Sequence, residues 1–499
     1  MSERSVQESL LAAVDLGSNS FRLQVARSMG DQIYPLDSLS EKVRLAGGLD
    51  SQRRLDDESQ ERALECLERF AERLRKFPKR AVRAVGTNTL RVAKNGPAFL
   101  KRAEAALGFP IEVVAGREEA RLVYLGVSHS LPPSDQPRLA VDIGGGSTEF
   151  IIGEGFVPRQ MESLYMGCVG YSLKFFPDGK IGKKNLAAAI LAARGELQAI
   201  GGDFSGDRYG EAVASSGTAR ALQDILQLNN YSNGEITPEA LERLSAVMLK
   251  AGDWRDLDLP GLRAERAPVL AGGVAIMSAV LAELEIARMT VATGALREGI
   301  LYDLLGRFHA SDLRETTVEE FMRRYHVDGA QAERVSKLAR EFLKQLDPES
   351  DELHLIWAAK LHEIGISVAH SGYHKHSAYI IQNADMPGFS RGDQERLALL
   401  VLGHRGSLKK LPEPISDDVW KMLMALRLAA LVYRSRRELK LPAFTLAVRK
   451  NSVELRIDEA WLDEHPLTAA ALESERNEWK KVELRVVAAQ PDLARRSAA

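Results

Sequence analysis

Two short Gly/Ser-rich turns, each behind an aspartate that closes an apolar run, constrain this chain more than any other feature. The first is Asp15-Leu16-Gly17-Ser18-Asn19-Ser20, preceded by Leu11-Ala12-Ala13-Val14. The second is Asp142-Ile143-Gly144-Gly145-Gly146-Ser147-Thr148-Glu149, preceded by Leu139-Ala140-Val141. Apolar stretches follow at 21–26 and 150–152, so each turn reads as the tip of a β-hairpin. Glycine lets such a tip bring its backbone N–H groups close to an anion. Asp15 and Asp142 stand 127 positions apart, about one domain length, which implies an old duplication of one α/β unit. Two facing tips with flanking carboxylates suit a polyanion and its metal ion.

The intervening chain alternates in period. Apolar positions from 57 to 77 fall on one helix face and Pro78 ends the run; 81–85 reads as a strand, 96–107 as a helix and 111–114 as a strand. The turn at 115–117 opens a helix carrying Glu118 and Glu119. The second half repeats the pattern, with a helix at 185–200, a strand at 212–214 before Ser215-Ser216-Gly217-Thr218-Ala219, and a strand and Gly-Gly turn at 269–274. From 315 to about 439 the sequence is helical and rich in histidine, and 443–499 reads as a hairpin, a helix at 468–481 and a strand at 482–487. Sequence pattern alone therefore gives an α/β fold followed by an all-α region and a small α+β tail.

Bulk properties limit the partners. The 499 residues exceed one hydrophobic core, and 67 basic against 69 acidic residues give no general attraction to nucleic acid. Two cysteines, Cys66 and Cys168, exclude a disulfide framework and point to a reducing compartment. No run approaches the roughly 20 apolar residues of a membrane helix, and the N-terminus lacks a signal-peptide pattern. A cytoplasmic protein with no nucleic-acid partner and no membrane insertion is expected.

The segments AAVDLGSNSFRL, AVGTNTLR, GREEARLVYLG, VDIGGGSTEFIIG, MGCVGYS, ASSGT and GALREGILY, in that order, resemble the exopolyphosphatase/guanosine pentaphosphate phosphatase family of the actin, sugar-kinase and heat-shock chaperone superfamily. The later LHEIGISVAHSGYHKHSAYIIQNADMPGF resembles the helical extension of long bacterial exopolyphosphatases. The resemblance implies two actin-like (ribonuclease H-like) domains at 1–130 and 131–308 flanking a cleft, an HD-like helical domain at 309–441 and a small α+β domain at 442–499. It implies exopolyphosphatase activity: terminal phosphate released from inorganic polyphosphate with Mg²⁺, and a monovalent cation such as K⁺ as a further candidate. The alternative is guanosine pentaphosphate (pppGpp) hydrolysis; an ATP-dependent kinase or a non-catalytic polyphosphate-binding protein stands behind both. A homodimer is expected by the same analogy.

Roles follow for individual residues. Asp142 and Glu149 flank the second tip and suit Mg²⁺, a hard ion that prefers oxygen ligands, and the resemblance adds Asp15. Read without it, Asp142 is equally a turn former and Glu149 a solvated strand position. Gly144, Gly145, Gly146 and Ser147 would face Ser18, Asn19 and Ser20 as phosphate donors, with Ser216, Gly217 and Thr218 as further ones. Successive helix positions point about 100° apart, so only one of Glu118 and Glu119 faces a cleft. The resemblance selects Glu119 as the water-activating base and leaves Glu118 as a cap or surface group. Arg91 at a strand end would clamp a phosphate. Gly272 and Gly273 sit where superfamily kinases hold adenosine. His362-Glu363 resembles an HD motif with glutamate for aspartate, and Gln331 stands where that motif's first histidine falls, so no metal chemistry is expected there. His374, Lys375, His376, Arg405 and Lys409, with His370, His404 and Lys410, would form a basic wall for a long polyphosphate.

Overall fold

The computed structural model describes residues 9–308, 312–412, 414–449, 452–480 and 485–488. The chain divides into two compact units, 1–312 and 313–499. The first unit opens with an antiparallel meander, β1 (Ser9–Leu16), β2 (Phe21–Met29) and β3 (Gln32–Glu41). Helix α1 (Asp57–Leu74) starts on Asp56, whose side chain accepts from the Ser59 N–H, and buries the predicted stripe Ala63, Leu64, Leu67, Phe70 and Leu74. Then come β4 (Val82–Gly86), α2 (Asn88–Val92), α3 (Gly96–Leu107), β5 (Ile111–Val113) and α4 (Gly116–His129). Strand β4 joins β1 in parallel and β5 joins β4, giving the order β3-β2-β1-β4-β5.

The second half repeats this plan. A meander of β6 (Arg138–Ile143), β7 (Thr148–Glu154) and β8 (Val157–Leu164) is followed by α5 (Cys168–Phe175), α6 (Lys183–Leu197), β9 (Glu211–Ser215), α7 (Ser216–Leu228), α8 (Pro238–Ala251), α9 (Ala267–Glu283) and β10 (Thr290–Val291). The order β8-β7-β6-β9-β10 matches the first sheet strand for strand. This is the duplication expected from the paired hairpins, in the actin-like arrangement that the resemblance implied. Helix α10 (Leu296–Phe308) then returns to pack on α4 and β1.

Helices α4 and α10 share one core with both sheets: Leu122, Val123, Ile300 and Leu304 lie with Leu11 and Val85 of the first sheet and Ala140, Ile151 and Val213 of the second. The expected boundary at 130 therefore runs through a continuous core, whereas the division at 312 lies close to the expected 308. Their packing is tight because glycine sits at each crossing point: a Cβ at Gly126 would stand 2.0 Å from the Ala295 carbonyl oxygen. Beside it runs a buried ion-pair group. Asp303 of α10 accepts from Arg83 of β4 at 2.7 Å and from Arg121 of α4, and Arg121 holds Glu118 at 2.7 and 2.8 Å. Burial alone would raise the Asp303 carboxyl, but Arg121, Arg83 and Arg307 hold it well below the usual range.

One element differs from its expectation. Residues 269–274 are helical, within α9, not a strand and turn. The helix is apolar on every face because α5, α6 and α8 surround it, so the period that marks a surface helix is missing. Gly272 and Gly273 are close-packing positions, where a Cβ would stand 2.5 Å from the Cys168 carbonyl oxygen and 2.7 Å from Thr218 Cγ2.

The second unit holds α11 (Leu313–Arg324), α12 (Gly329–Leu346), α13 (Leu353–Leu361), α14 (Tyr373–Asn383), α15 (Arg391–Gly403) and α16 (Asp417–Val432). Then follow β11 (Thr445–Arg449), β12 (Ser452–Arg456), α17 (Glu459–Glu464), α18 (Pro466–Trp479) and β13 (Arg485–Ala488). The expected hairpin and terminal helix are present; residues 481–484 of the expected helix end and strand, and 450–451 of the turn, lie outside the described residues. Leu446, Val453, Leu455 and Trp479 join the helical core, so the tail expected at 442–499 is not separately packed. No helix among the described residues is long and apolar enough to cross a membrane. Gly126→Val should lower stability by roughly 3 kcal/mol or more, because the added side chain meets backbone rather than a movable side chain; urea denaturation of the variant checks this.

Candidate active site

The hairpin tips are positioned by strand register. Asp15 pairs across β1–β2 with Arg22, and Asp142 pairs across β6–β7 with Glu149, so each partner lies on the aspartate's own face. The tips touch: a Cβ at Gly145 would stand 3.1 Å from Ser18 Cβ, and one at Gly146 would stand 2.8 Å from Asn88 Oδ1 and 3.2 Å from Ser18 Oγ. Only glycine permits that approach. The tip carbonyls are turned to other segments. Those of Gly144 and Gly145 accept from Cys168 N at 2.9 Å and Val169 N at 3.0 Å, while those of Ser18 and Asn19 accept from Ala46 N at 2.9 Å and Arg44 N at 2.8 Å. What the tips retain for a ligand is N–H, apart from that of Gly144, which donates to the Ser147 carbonyl at 2.9 Å.

The cleft between them is lined by Asp15, Ser18, Asn19, Ser20, Glu119, Asp142, Gly144, Gly145, Gly146, Ser147, Glu149, Ser216, Gly217 and Thr218. These are the predicted metal, tip, donor and base residues, gathered from hairpins and helix starts about 200 positions apart at the extremes. Arg91 is placed differently from its expected phosphate clamp. Its Nη1 donates to the Val114 carbonyl at 2.8 Å and to Glu119 Oε2 at 3.1 Å, so it holds the expected base. Glu118 is only 4 % exposed and belongs to the ion-pair group, not to the surface. The hydroxyls of Ser216 and Thr218 donate to the Ile143 carbonyl at 3.0 and 2.9 Å, which fixes the second tip and leaves Gly217 the freer donor. Ser216 adopts φ 86°, a strained left-handed conformation at the helix start beside the cleft.

Four carboxylates converge here, and burial is the first cause of the rise in each. Asp15 is pushed up to about 6, with Asp142 adding and Arg22 and Arg297 opposing. Glu119 is pushed up to about 7 against the pull of Arg91. Asp142 is raised although Ser215 Oγ donates to it at 2.5 Å, and Glu149 is raised well above its usual range by burial, Glu119 and Asp142. Asp15 Oδ1 is buried without a hydrogen-bond partner. A cation would relieve all of these. Among the described residues no three His, Cys, Asp or Glu side chains come close enough to cage an ion unaided. Mg²⁺ does not need such a cage, since it takes one or two carboxylates and completes its shell with phosphate oxygens and water. The oxygen chemistry of Asp142 and Glu149, with the unpartnered Asp15 Oδ1 nearby in the same cleft, suits such an ion.

Sequence reasoning missed most of the cations. Arg22, Arg266 and Arg297 line the cleft, and Arg220 and Lys42 lie within electrostatic reach. Lys42 is pushed down to about 8 by burial and by Arg266 and Arg22. Arg22 carries a signal only once it is paired with Asp15; Arg266 and Arg220 carry none locally. Ser215, the donor to Asp142, was also unassigned.

In the second unit, Gln331 Nε2 donates to the Tyr433 carbonyl at 2.8 Å and Arg436 donates to Glu363. His362 and His404 are buried with ring centroids 5.0 Å apart, and each is lowered from its usual range, burial being the largest cause. The positions corresponding to HD ligands are thus satisfied by protein groups. Lys375, Arg405 and Lys410 gather around His374, which burial and those cations push down to about 4. Lys409 is exposed, and His370 and His376 lie toward the surface of the same region.

The family model described as the Ppx/GppA phosphatase family matches residues 24–308, and the model of domain III of that family matches 313–476. A guanosine-5'-triphosphate,3'-diphosphate pyrophosphatase of Vibrio campbellii is 40% identical over 477 residues, 94% of this chain and 96% of the relative. The Aquifex aeolicus PPX-GPPA enzyme is 25% identical with a TM-score of 0.50, covering 59% of this chain and 99% of that one. An exopolyphosphatase from Cytophaga hutchinsonii has the same fold, with a TM-score of 0.54 at 24% identity over 60% of this chain and 98% of that one.

Linkage gives the sign of one test. A carboxyl whose folded pKa is raised binds more protons folded than unfolded, so it destabilises increasingly as pH rises from its ordinary value of 4.5 through the raised one. Glu149→Gln removes that charge, and its amide oxygen can still accept from Ser163 Oγ. At pH 8 without divalent ions the variant should be more stable than the wild type. The gain should vanish near pH 4.5, and Mg²⁺ should stabilise the wild type alone, all read by thermal denaturation.

Proposed function

The chain belongs to the Ppx/GppA phosphatase family, and on that premise we propose that its cleft hydrolyses the terminal phosphoanhydride of a polyphosphorylated substrate. The observation that carries this is Glu119: a buried carboxylate pushed up to about 7, held by Arg91 beside two facing N–H-rich tips. A base with that pKa is poised to take a proton near neutral pH.

The terminal phosphate lies against the N–H groups of Gly145 and Gly146 and those of Ser18 and Asn19. Glu119 orients a water and accepts its proton as the water oxygen bonds to the terminal phosphorus. The bond to the bridging oxygen then breaks, its electron pair leaves on the shortened chain, and orthophosphate is released. Asp142 and Glu149, supported by Asp15, would hold Mg²⁺, which would neutralise charge on the phosphate oxygens. Arg22, Lys42 and Arg266 stand ready for anionic groups beyond the reacting phosphate.

Guanosine pentaphosphate is the first substrate to assign, because the Vibrio campbellii relative is named for it and resembles this chain over 94% of its length. A 3'-diphosphate on such a substrate is the kind of second anionic group that Arg22, Lys42 and Arg266 would meet. Inorganic polyphosphate is the second reading. It is favoured by Lys375, Arg405 and Lys410 in the other unit, where burial first and neighbouring cations next push Lys410 down to about 8. A nucleotide does not call for that cluster, whereas a long polyanion does.

Phosphate release from guanosine pentaphosphate and from polyphosphate, measured on one preparation, separates the two substrates; release from neither would overturn the hydrolase reading. Glu119→Gln should reduce kcat by about 10³ or more while leaving substrate affinity near normal. Arg91→Met removes the cation that holds Glu119 down, so the acid limb of the pH–rate profile should move to higher pH.

A further inference from the structure

The two helices at the floor of the cleft meet backbone to backbone. Besides the contact at Gly126, a Cβ at Gly299 would stand 1.7 Å from the Leu122 carbonyl oxygen, and one at Gly294 would stand 2.1 Å from that of Gly126. Main chain against main chain has no rotamer by which to yield. The bonds from Arg121 to Glu118 and Asp303 tie the same pair again. Both helices open into the cleft, α4 with Glu119 in its first turn and α10 with Arg297 in its first turn, and both side chains line it. A group on α10 is therefore fixed against Glu119 nearly as firmly as a neighbour on the same helix.

Among the described residues, Arg297 is the cleft arginine with an unspent buried donor. Arg91 Nη1 is taken by Val114 and Glu119, Arg220 Nε reaches the Ser216 carbonyl at 3.4 Å, the Arg266 guanidinium lies against Gly217, where a Cβ would be 1.8 Å from Nη2, and Arg22 has no buried nitrogen left without a partner. Arg297 comes no nearer to the neighbouring Glu298 carboxylate than 3.7 Å, and its Nε is buried without a hydrogen-bond partner. Glu298 is itself occupied by the Ala295 N–H at 2.9 Å, which holds the start of α10. An unmade bond on a buried guanidinium is unfavourable and persists where something else accepts it. Arg297 also lies within electrostatic reach of Asp15, on the first tip's side of the cleft.

We propose that Arg297 is a catalytic residue of the hydrolysis, its guanidinium bonding the equatorial oxygens of the terminal phosphoryl group as that group passes from the bridging oxygen to water. This rests on the hydrolase reading of the cleft. Negative charge spreads over those oxygens while the old P–O bond breaks, and an arginine supplied from the same chain meets it without reorganisation. The rigid α4–α10 crossing gives the proposal its geometry: base and arginine keep one spacing as substrates of different length enter.

Steady-state kinetics on Arg297→Ala and Arg297→Lys test it, with guanosine pentaphosphate and polyphosphate as substrates. Arg297→Ala should lower kcat by about 10³ or more with KM changed less than about threefold. Added guanidinium ion should restore part of that loss in Arg297→Ala, leaving Glu119→Gln unrescued. Arg297→Lys, which keeps the charge but not the planar fork, should lose most of the activity as well. An Arg297→Ala kcat within about tenfold of wild type overturns the proposal, as does a change confined to KM or a loss that guanidinium never restores. If Arg297→Ala does not fold, Arg297→Lys decides: wild-type kcat there overturns the proposal, and a deep kcat loss at unchanged KM supports it. A wild type that releases phosphate from neither substrate overturns the hydrolase reading and this role together. With an active wild type, the kinetics of the variants bear on Arg297 alone.

Discussion

Like charge crowded into a buried place governs this structure. Asp15, Glu119, Asp142 and Glu149 are each driven upward by burial before any neighbour is counted, and they then repel one another. A fold that relaxed freely would move them apart. Here they cannot separate, because two of them face each other across a hairpin register and a third sits on a helix locked by backbone contact. The rigid floor and the strained charge cluster belong together: without the first, the second would disperse. A cation placed among these carboxylates would lower that repulsion, so the cluster favours binding of positive charge.

The duplication supplies an asymmetry that one domain could not. Asp15 and Asp142 are counterparts, but the register partner of Asp15 is Arg22 where that of Asp142 is Glu149. One half thus presents a cation at the position where the other presents a carboxylate. The second tip therefore suits a cation and the first an anion, and a phosphate chain laid across the two meets both. A symmetrical pair with two carboxylates would repel the chain, and one with two arginines would repel the metal.

The paired tips were legible because glycine turns behind apolar runs are local signals, whereas Glu119 was singled out by the resemblance; the structure lines one cleft with it, Asp142 and Glu149. What stayed hidden was non-local. Arg22 reads as an ordinary outward strand residue until pairing places it beside Asp15, and Arg266 joins the cleft only because α9 docks next to α7. Arg91 was expected to clamp a phosphate, and nothing in the sequence shows Val114 and Glu119 converging on its Nη1. Glu118 misled for the opposite reason: a carboxylate in a first helical turn is usually solvated, and only the return of α10 with Asp303 buries it. The strand expected at 269–274 failed because a helix enclosed on all sides loses the polar face that would identify it.

The second unit follows the same electrostatic logic with the sign reversed. Its HD-like positions no longer offer ligands: Gln331 and Glu363 are engaged by Tyr433 and Arg436, and the buried His362 and His404 are held neutral. Near them His374, pushed down to about 4, carries no charge at neutral pH, so the expected basic wall is narrower than its histidines suggested. Its charge comes from Lys375 and Arg405, and from Lys410, pushed down to about 8. Cations crowded until one begins to yield its proton gain most from an anion that touches them all. A polyphosphate chain satisfies that condition better than a single phosphate, because its charges repeat along a line and its grip is cumulative.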